Sequence, residues 1–201
     1  MRKNRQAELI KQLTQSQLIF HLYFTQILVI SIAIILSFFI FPDFAAYFSL
    51  FHWDIKWIGI GVVNGIIIVI IDLILMNKLP KRYYDDGGIN EKIFTGLPVW
   101  KIAWLALVIG IAEELLFRGV IQTKFGLIIA SVIFALIHIR YWTHWFLLAN
   151  VIVLSFWIGL IYQWSGGQII PVIAMHFTID FLLGIYVSKN GLSKIDEERI
   201  L

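Results

Sequence analysis

The chain has 201 residues, of which 60% are hydrophobic, 15% aromatic and only 14% charged, with a formal net charge of +3. Soluble domains carry about 25% charged residues, so a water-soluble globule is excluded and a polytopic helical membrane protein is indicated. The lack of cysteine excludes disulfides, thiolate metal sites, cysteine nucleophiles and lipidation on cysteine, and so mild a positive charge, placed beside the apolar runs, is no footprint of a nucleic-acid partner.

Residues 1–17 are polar and basic, with Arg2, Lys3, Arg5 and Lys11. The apolar run 18–41 exceeds the core of about 7–15 residues expected of a signal peptide and is read as an uncleaved first span, ended by Pro42 and Asp43. A second span is expected over 57–76. Asn64 and Asp72 interrupt it, the first expected to bond a neighbouring helix and the second to lie near the membrane surface. Residues 77–98 are the longest polar stretch, a loop with a short interfacial helix at 91–95. Pro98 opens a third span that runs to Gln122, and residues 123–126 form a tight turn. A slightly short fourth span follows over 127–141, a fifth over 145–162, a turn at Ser165–Gly166–Gly167, and a sixth span over 169–187. The fold class expected is therefore an all-α transmembrane bundle of about six spans. The division expected is 1–94 (basic segment, two spans and loop), 95–188 (a core of four spans) and 189–201 (tail). There is no internal repeat.

Lys and Arg sort by side. The N-terminal tail, the loop at 77–98 with Lys101, Arg140 and the C-terminal tail carry nearly all of them, and the opposite side keeps only Lys56 and Lys124. By the positive-inside rule both termini are expected in the cytoplasm, in an integral protein of a bacterial cell membrane.

The third span holds Glu113, Glu114 and Arg118 in an otherwise apolar run. Each charge costs about 2.5–3.5 kcal/mol at a helix centre, so the three must face a protein interior or a wet cavity and have partners there. Glu114 and Arg118 are four apart and can pair along one helix face. Glu113 is rotated about 100° away and is free to face something else. His138 in the fourth span and His176 in the sixth are the buried-side candidates to meet it, and Asp180 shares the face of His176. His21, His52 and His144 lie near span ends and are assigned no catalytic part.

These residues resemble the pattern of the CPBP family, the CAAX proteases and bacteriocin-processing enzymes also called ABI. The resemblance is carried by Glu113-Glu114-x-x-x-Arg118, Phe134-x-x-x-His138 and His176-x-x-x-Asp180, each in a separate apolar run, over about residues 95–187. It implies an intramembrane endopeptidase acting on a peptide or membrane-protein substrate within the lipid bilayer. Hydrolysis of a peptide bond needs a base for water, a stabiliser for the oxyanion and a proton source for the leaving amine. Glu113 is the best base, His138 would hold the same water or a metal, and His176 with the residue four later would face the oxyanion. Phe134 is expected to pack beneath the site.

The family pattern often has Asn where this chain has Asp180, and an ionised Asp cannot donate to an oxyanion. Two readings stay open. In one, His138, His176 and Asp180 bind a divalent metal such as zinc. In the other, Glu113 and the histidines work on water directly, with Asp180 orienting His176. Two other function classes also stand beside the protease: a catalytically silent binding or regulatory module of the same fold, and a proton-coupled transporter.

One distance does not close on the sequence alone. Glu113 lies about 20 Å along the third span from Trp100, and His138 about 20 Å back along the fourth from Phe125. In a core about 30 Å thick their depths then differ by roughly 10 Å. A later start to the third span, a tilt, or a break near Gly110 would bring them level.

Overall fold

The computed structural model describes residues 12–142 and 144–200, with 192–200 described by their backbone alone. The main elements are helices: α1 (Gln15–Ile40), α2 (Phe44–Phe48), α3 (Ile55–Lys78), α4 (Ile89–Phe94), α5 (Val99–Glu114), a π-helix (Leu115–Gln122), α6 (Thr123–Ile137), α7 (Trp145–Trp164) and α8 (Ile169–Ile200). Among the described residues there is no strand.

Local chemistry sets the helix ends. Thr14 opens α1 with a capping box: Gln17 N–H donates to its hydroxyl at 3.3 Å, and the Gln17 side chain accepts from Thr14 N–H at 2.8 Å. Asp54 caps α3 by accepting from Lys56 N–H at 2.9 Å. Pro98 precedes the first residue of α5, and Pro42 follows α1 closely. Large apolar side chains such as Phe24, Phe39, Ile66 and Ile128 remain exposed along α1, α3 and α6. A bilayer is the solvent that makes such faces stable.

Among the described residues, five segments are long and apolar enough to cross a membrane: Gln15–Ile40, Ile55–Lys78, Val99–Ile137, Trp145–Trp164 and Ile169–Gly191. The expected third and fourth spans are one helical run, Val99–Ile137, folded back on itself at Gly126. There the backbone takes φ 84°, ψ 171°, a conformation that glycine adopts at little cost. The two arms pack as a hairpin, with the Phe117 and Phe134 rings edge to face at 4.8 Å. The turn is tighter than the expected 123–126, because Thr123 to Phe125 continue the descending helix. The returning helix stops at Ile137, short of the expected Tyr141.

The returning arm ends level with Glu113, and the segment after it meets the loop between α3 and α5. Beyond it, a 3-10 turn (Ile139–Tyr141) brings Arg140 to Asp86 at 4.0 Å, and Trp145 packs on Tyr83 with ring centroids 5.7 Å apart. Asp86 and Tyr83 belong to the polar loop between α3 and α5.

The hairpin also closes the gap in depth. α5 starts at Val99 and runs unbroken through Gly110, so neither a later start nor a break is involved. Counted from Gly126, Glu113 and His138 lie nearly equal numbers of residues up the two arms. The descending arm, 99–125, measures about 40 Å at 1.5 Å per residue, longer than the bilayer core of about 30 Å.

α3 and α8 pack backbone to backbone. A Cβ at Gly65 would stand 2.8 Å from the Met175 carbonyl oxygen, and one at Gly61 would strike the Pro171 carbonyl. Small residues four apart allow this approach in lipid, where van der Waals packing drives helix association. Asp72 on α3 is buried and accepts from Asn150 Nδ2 on α7 at 3.1 Å. Asn64 does bond a neighbouring helix: its Oδ1 accepts from Trp157 Nε1 of α7 at 3.1 Å.

Candidate active site

α5, the π-helix, the returning arm of α6, and α8 carry the polar residues picked out in the sequence. Glu114 closes α5 and is fully buried; Arg118 lies one turn on, inside the π-helix, and is 1% exposed. Arg118 Nη1 donates to Glu114 Oε1 at 3.4 Å. Arg118 Nε faces Glu114 Oε2 at 3.3 Å as an ion pair, without hydrogen-bond geometry. Arg118 Nη2 donates to the Ser155 carbonyl at 2.9 Å and to its hydroxyl at 3.1 Å. The guanidinium also lies 4.9 Å over the Phe134 ring, a cation–π contact of the kind that desolvation strengthens. A buried charge with this set of partners is tolerable where an isolated one is not.

The π-helix places Arg118. Thr123 N–H reaches back five residues to the Arg118 carbonyl, and the Thr123 hydroxyl donates to the same oxygen at 3.0 Å. Seven of its eight residues are buried, so the wide turn is enclosed by protein and not exposed to lipid. π-turns of this sort occur often at functional sites.

His176 links Glu114 to the rest. Its Nδ1 lies 2.7 Å from Glu114 Oε1, and since a carboxylate accepts, Nδ1 carries the proton. Nε2 then points the other way, 3.5 Å from Asp180 Oδ2 and 4.0 Å from Glu113 Oε2. Glu113 is thus turned away from the Glu114–Arg118 pair, as the 100° step along a helix requires. His138 caps the returning arm. Its Nδ1 donates to the Phe134 carbonyl at 2.7 Å, which leaves Nε2 as the free nitrogen. Phe134 lies among all of them, 4.6 Å from the His138 ring and 6.5 Å from that of His176.

Exposure rises in one direction. Glu114 is closed off at 0%, the His176 side chain is 6% exposed, Glu113 13% and Asp180 28%. The site therefore opens past Asp180, toward the loop between α3 and α5. Arg140, on the 3-10 turn after His138, pairs with Asp86 of that loop at 4.0 Å. Its partner Asp86 caps α4 by accepting from Ile89 N–H at 3.0 Å. Burial pushes the Asp86 carboxyl above the ordinary aspartate range, and the Arg140 charge opposes that rise.

His138, His176 and Asp180 are the residues that would serve as ligands in the metal reading. Among the described residues no group of three or more His, Asp or Glu side chains is arranged to hold a metal ion. Each histidine is held through Nδ1, His176 by Glu114 and His138 by a backbone carbonyl, which leaves the two Nε2 atoms for the site.

Ser155 and Arg140 are site residues that the sequence does not single out. Ser155 is a lone hydroxyl in an apolar run, a pattern shared with many packing serines. Arg140 reads there only as a flanking charge. Its position two residues after His138 is the available signal.

The chain matches the family model described as type II CAAX prenyl endopeptidase Rce1-like over residues 95–182. It is 42% identical over 161 residues to an uncharacterized protein, YpbD, of Bacillus subtilis (strain 168), a match covering 78% of this chain and 82% of that protein. No solved structure matches.

Proposed function

Because this chain belongs to the Rce1-like family of type II CAAX prenyl endopeptidases, we propose that it is an intramembrane endopeptidase whose water is activated by Glu113. One observation carries the assignment: Glu113 Oε2 and Asp180 Oδ2 flank the same His176 nitrogen at 4.0 and 3.5 Å. A water and a peptide carbonyl set between these groups meet a base from α5, the free nitrogen of His138 and an N–H donor from α8.

In the proposed reaction Glu113 takes a proton from water as the oxygen attacks the scissile carbonyl. His138, protonated at Nδ1, accepts from the same water at Nε2 and so aims it. His176, as an imidazolium between Glu114 and Asp180, donates from Nε2 to the oxyanion as it forms. Glu113 then returns the proton to the departing amine. Glu114 fixes the orientation of His176, and Arg118 holds Glu114. Asp180 steadies the free edge of His176. The substrate class is a membrane-associated peptide, cleaved near a C-terminus or after a leader. The placement of Lys and Arg supports a cell-membrane protein with both termini in the cytoplasm.

The test compares peptide termini in cells carrying the wild-type chain or Glu113→Gln. New termini present only with the wild type are expected. Identical sets would favour a silent binding module of the same fold.

A further inference from the structure

Beyond Arg118, toward the turn at Gly126, the hairpin encloses polar groups that the hydrolytic steps do not use. Gln122 closes the π-helix and is 4% exposed; Ser131 lies on the returning arm and is 1% exposed. Gln122 stands four residues before Gly126 and Ser131 five residues after it, so the two share one height in the hairpin.

α7 forms the third wall. Gln122 Nε2 donates to the Gly159 carbonyl at 2.8 Å. A Cβ at Gly159 would stand 2.8 Å from Gln122 Oε1 and would strike Leu127 Cδ1, so both side chains pass directly over this glycine. Leu127 and Ser131 are four apart and share a helix face, which turns the Ser131 hydroxyl to the same seam. Ser155, one turn before Gly159 and fully buried, accepts from Arg118 Nη2 at 3.1 Å and keeps its own proton to give.

Gln122 Oε1 and Ser131 Oγ are nevertheless buried with no hydrogen-bond partner among the described residues. Other hydroxyls of this chain behave differently. Thr25 and Ser31 each donate at 2.8 Å, and Thr178 at 2.7 Å, to the carbonyl four residues back in their own helices, a common habit of hydroxyls in membrane helices. Ser131 makes neither that bond nor a direct one to Gln122. Buried polar groups are costly to leave unpaired. An amide acceptor and two hydroxyls converging on one seam are the partners that a buried water takes.

We propose that a single water binds in this seam, donating to Gln122 Oε1 and accepting from the hydroxyls of Ser131 and Ser155. It is distinct from the water consumed at Glu113. It ties the descending arm, the returning arm and α7 together one turn from the bonds that hold Arg118. It thereby fixes the height of the returning arm, and with it the approach of His138 to Glu113, which lie farther along the same two arms. Gln122 and Ser131 are positioning residues on this account. The water site stands on the packing alone, while its effect on cleavage rests on the endopeptidase reading above.

Two measurements test it. A crystal structure of the full chain, at a resolution that shows ordered water, should place one water within hydrogen-bond distance of Gln122 Oε1 and Ser131 Oγ. A Ser131 hydroxyl bonded to the Leu127 carbonyl or directly to Gln122, with no water between, overturns the site. The second measurement is cleavage of an S-prenylated peptide in detergent by the wild type, Ser131→Ala and Ser131→Thr. In Ser131→Ala kcat should fall about tenfold with KM unchanged, since small misplacements of catalytic groups cost rate steeply. Ser131→Thr keeps the hydroxyl and should restore most of the rate. A merely structural Ser131 would lower the melting temperature of Ser131→Ala and leave kcat of the folded enzyme at the wild-type value, which overturns the positioning role. Absence of cleavage by the wild type would count against the endopeptidase reading, while the crystal structure still decides the water site.

Discussion

Glu113 and Glu114 are neighbours in sequence with opposite physical situations. Glu114 is fully buried and held by Arg118 and His176, whereas Glu113 is partly open and faces the free edge of His176. Removing one partner of a buried pair leaves the other charge uncompensated, at a cost of about 3–5 kcal/mol. Arg118→Ala is therefore expected to lower both the yield of folded protein and its melting temperature in detergent, along with activity. Glu113→Gln should abolish activity with a melting temperature near wild type. A Glu113→Gln protein as unstable as Arg118→Ala would identify the pair as a structural charge cluster. Ser155→Ala keeps the backbone acceptor for Arg118 and loses only the hydroxyl, so a loss of about 1 kcal/mol is expected in the same melt. The pairing of Glu114 with Arg118, and the shared face of His176 and Asp180, were legible because spacing of four residues needs no tertiary knowledge. The Glu114–His176 bond was not legible. It joins residues 62 apart in sequence and exists only once α5 packs on α8.

At the scale of elements, the π-helix was invisible in the sequence. Leu115–Gln122 has ordinary helical composition, and its wide turn arises from what surrounds it: Thr123 taking the Arg118 carbonyl, and Ser155 taking the Arg118 side chain. Deleting Ile121 should convert this stretch to α-helix and rotate Glu113 by about 100° against the returning arm. The expected result is a membrane-inserted protein without proteolytic activity, checked by carbonate extraction and peptide cleavage. The α3–α8 contact gives a second test. Gly65→Leu places a side chain against the Met175 carbonyl, whereas a Cβ at Gly59 would meet nothing within 4 Å. Overpacking costs about 1–3 kcal/mol, so Gly65→Leu should melt lower than Gly59→Leu. The helix boundaries followed caps and prolines and were readable within a few residues. The reversal at Gly126 was readable as a turn, and the continuity of the helix on its descending side was not.

For the molecule as a whole, orientation is set by charge. Because the chain has no cysteine, single cysteines report it directly. Arg82→Cys and Ser193→Cys should be shielded from an impermeant thiol reagent in intact cells, and Ser49→Cys should react. Labelling at position 82 from outside would reverse the assignment. The apolar runs and their flanking charges were legible because a bilayer imposes length and polarity on every span. The depth of the site was not, because it depends on how far the descending arm overshoots.

That overshoot has a consequence for the lipid. A descending arm of about 40 Å lies beside a returning helix of about 17 Å, and neither matches a hydrocarbon layer of about 30 Å. Hydrophobic mismatch of this kind is relieved by tilting the long element and thinning the bilayer around the short one, each at a fraction of a kcal/mol per Å. Acyl chain length then becomes a control on the protein. Reconstituted into short-chain phosphatidylcholine, it should cleave faster than in long-chain lipid, since the thinned annulus beside the returning helix brings headgroups and water down to the level of Asp180.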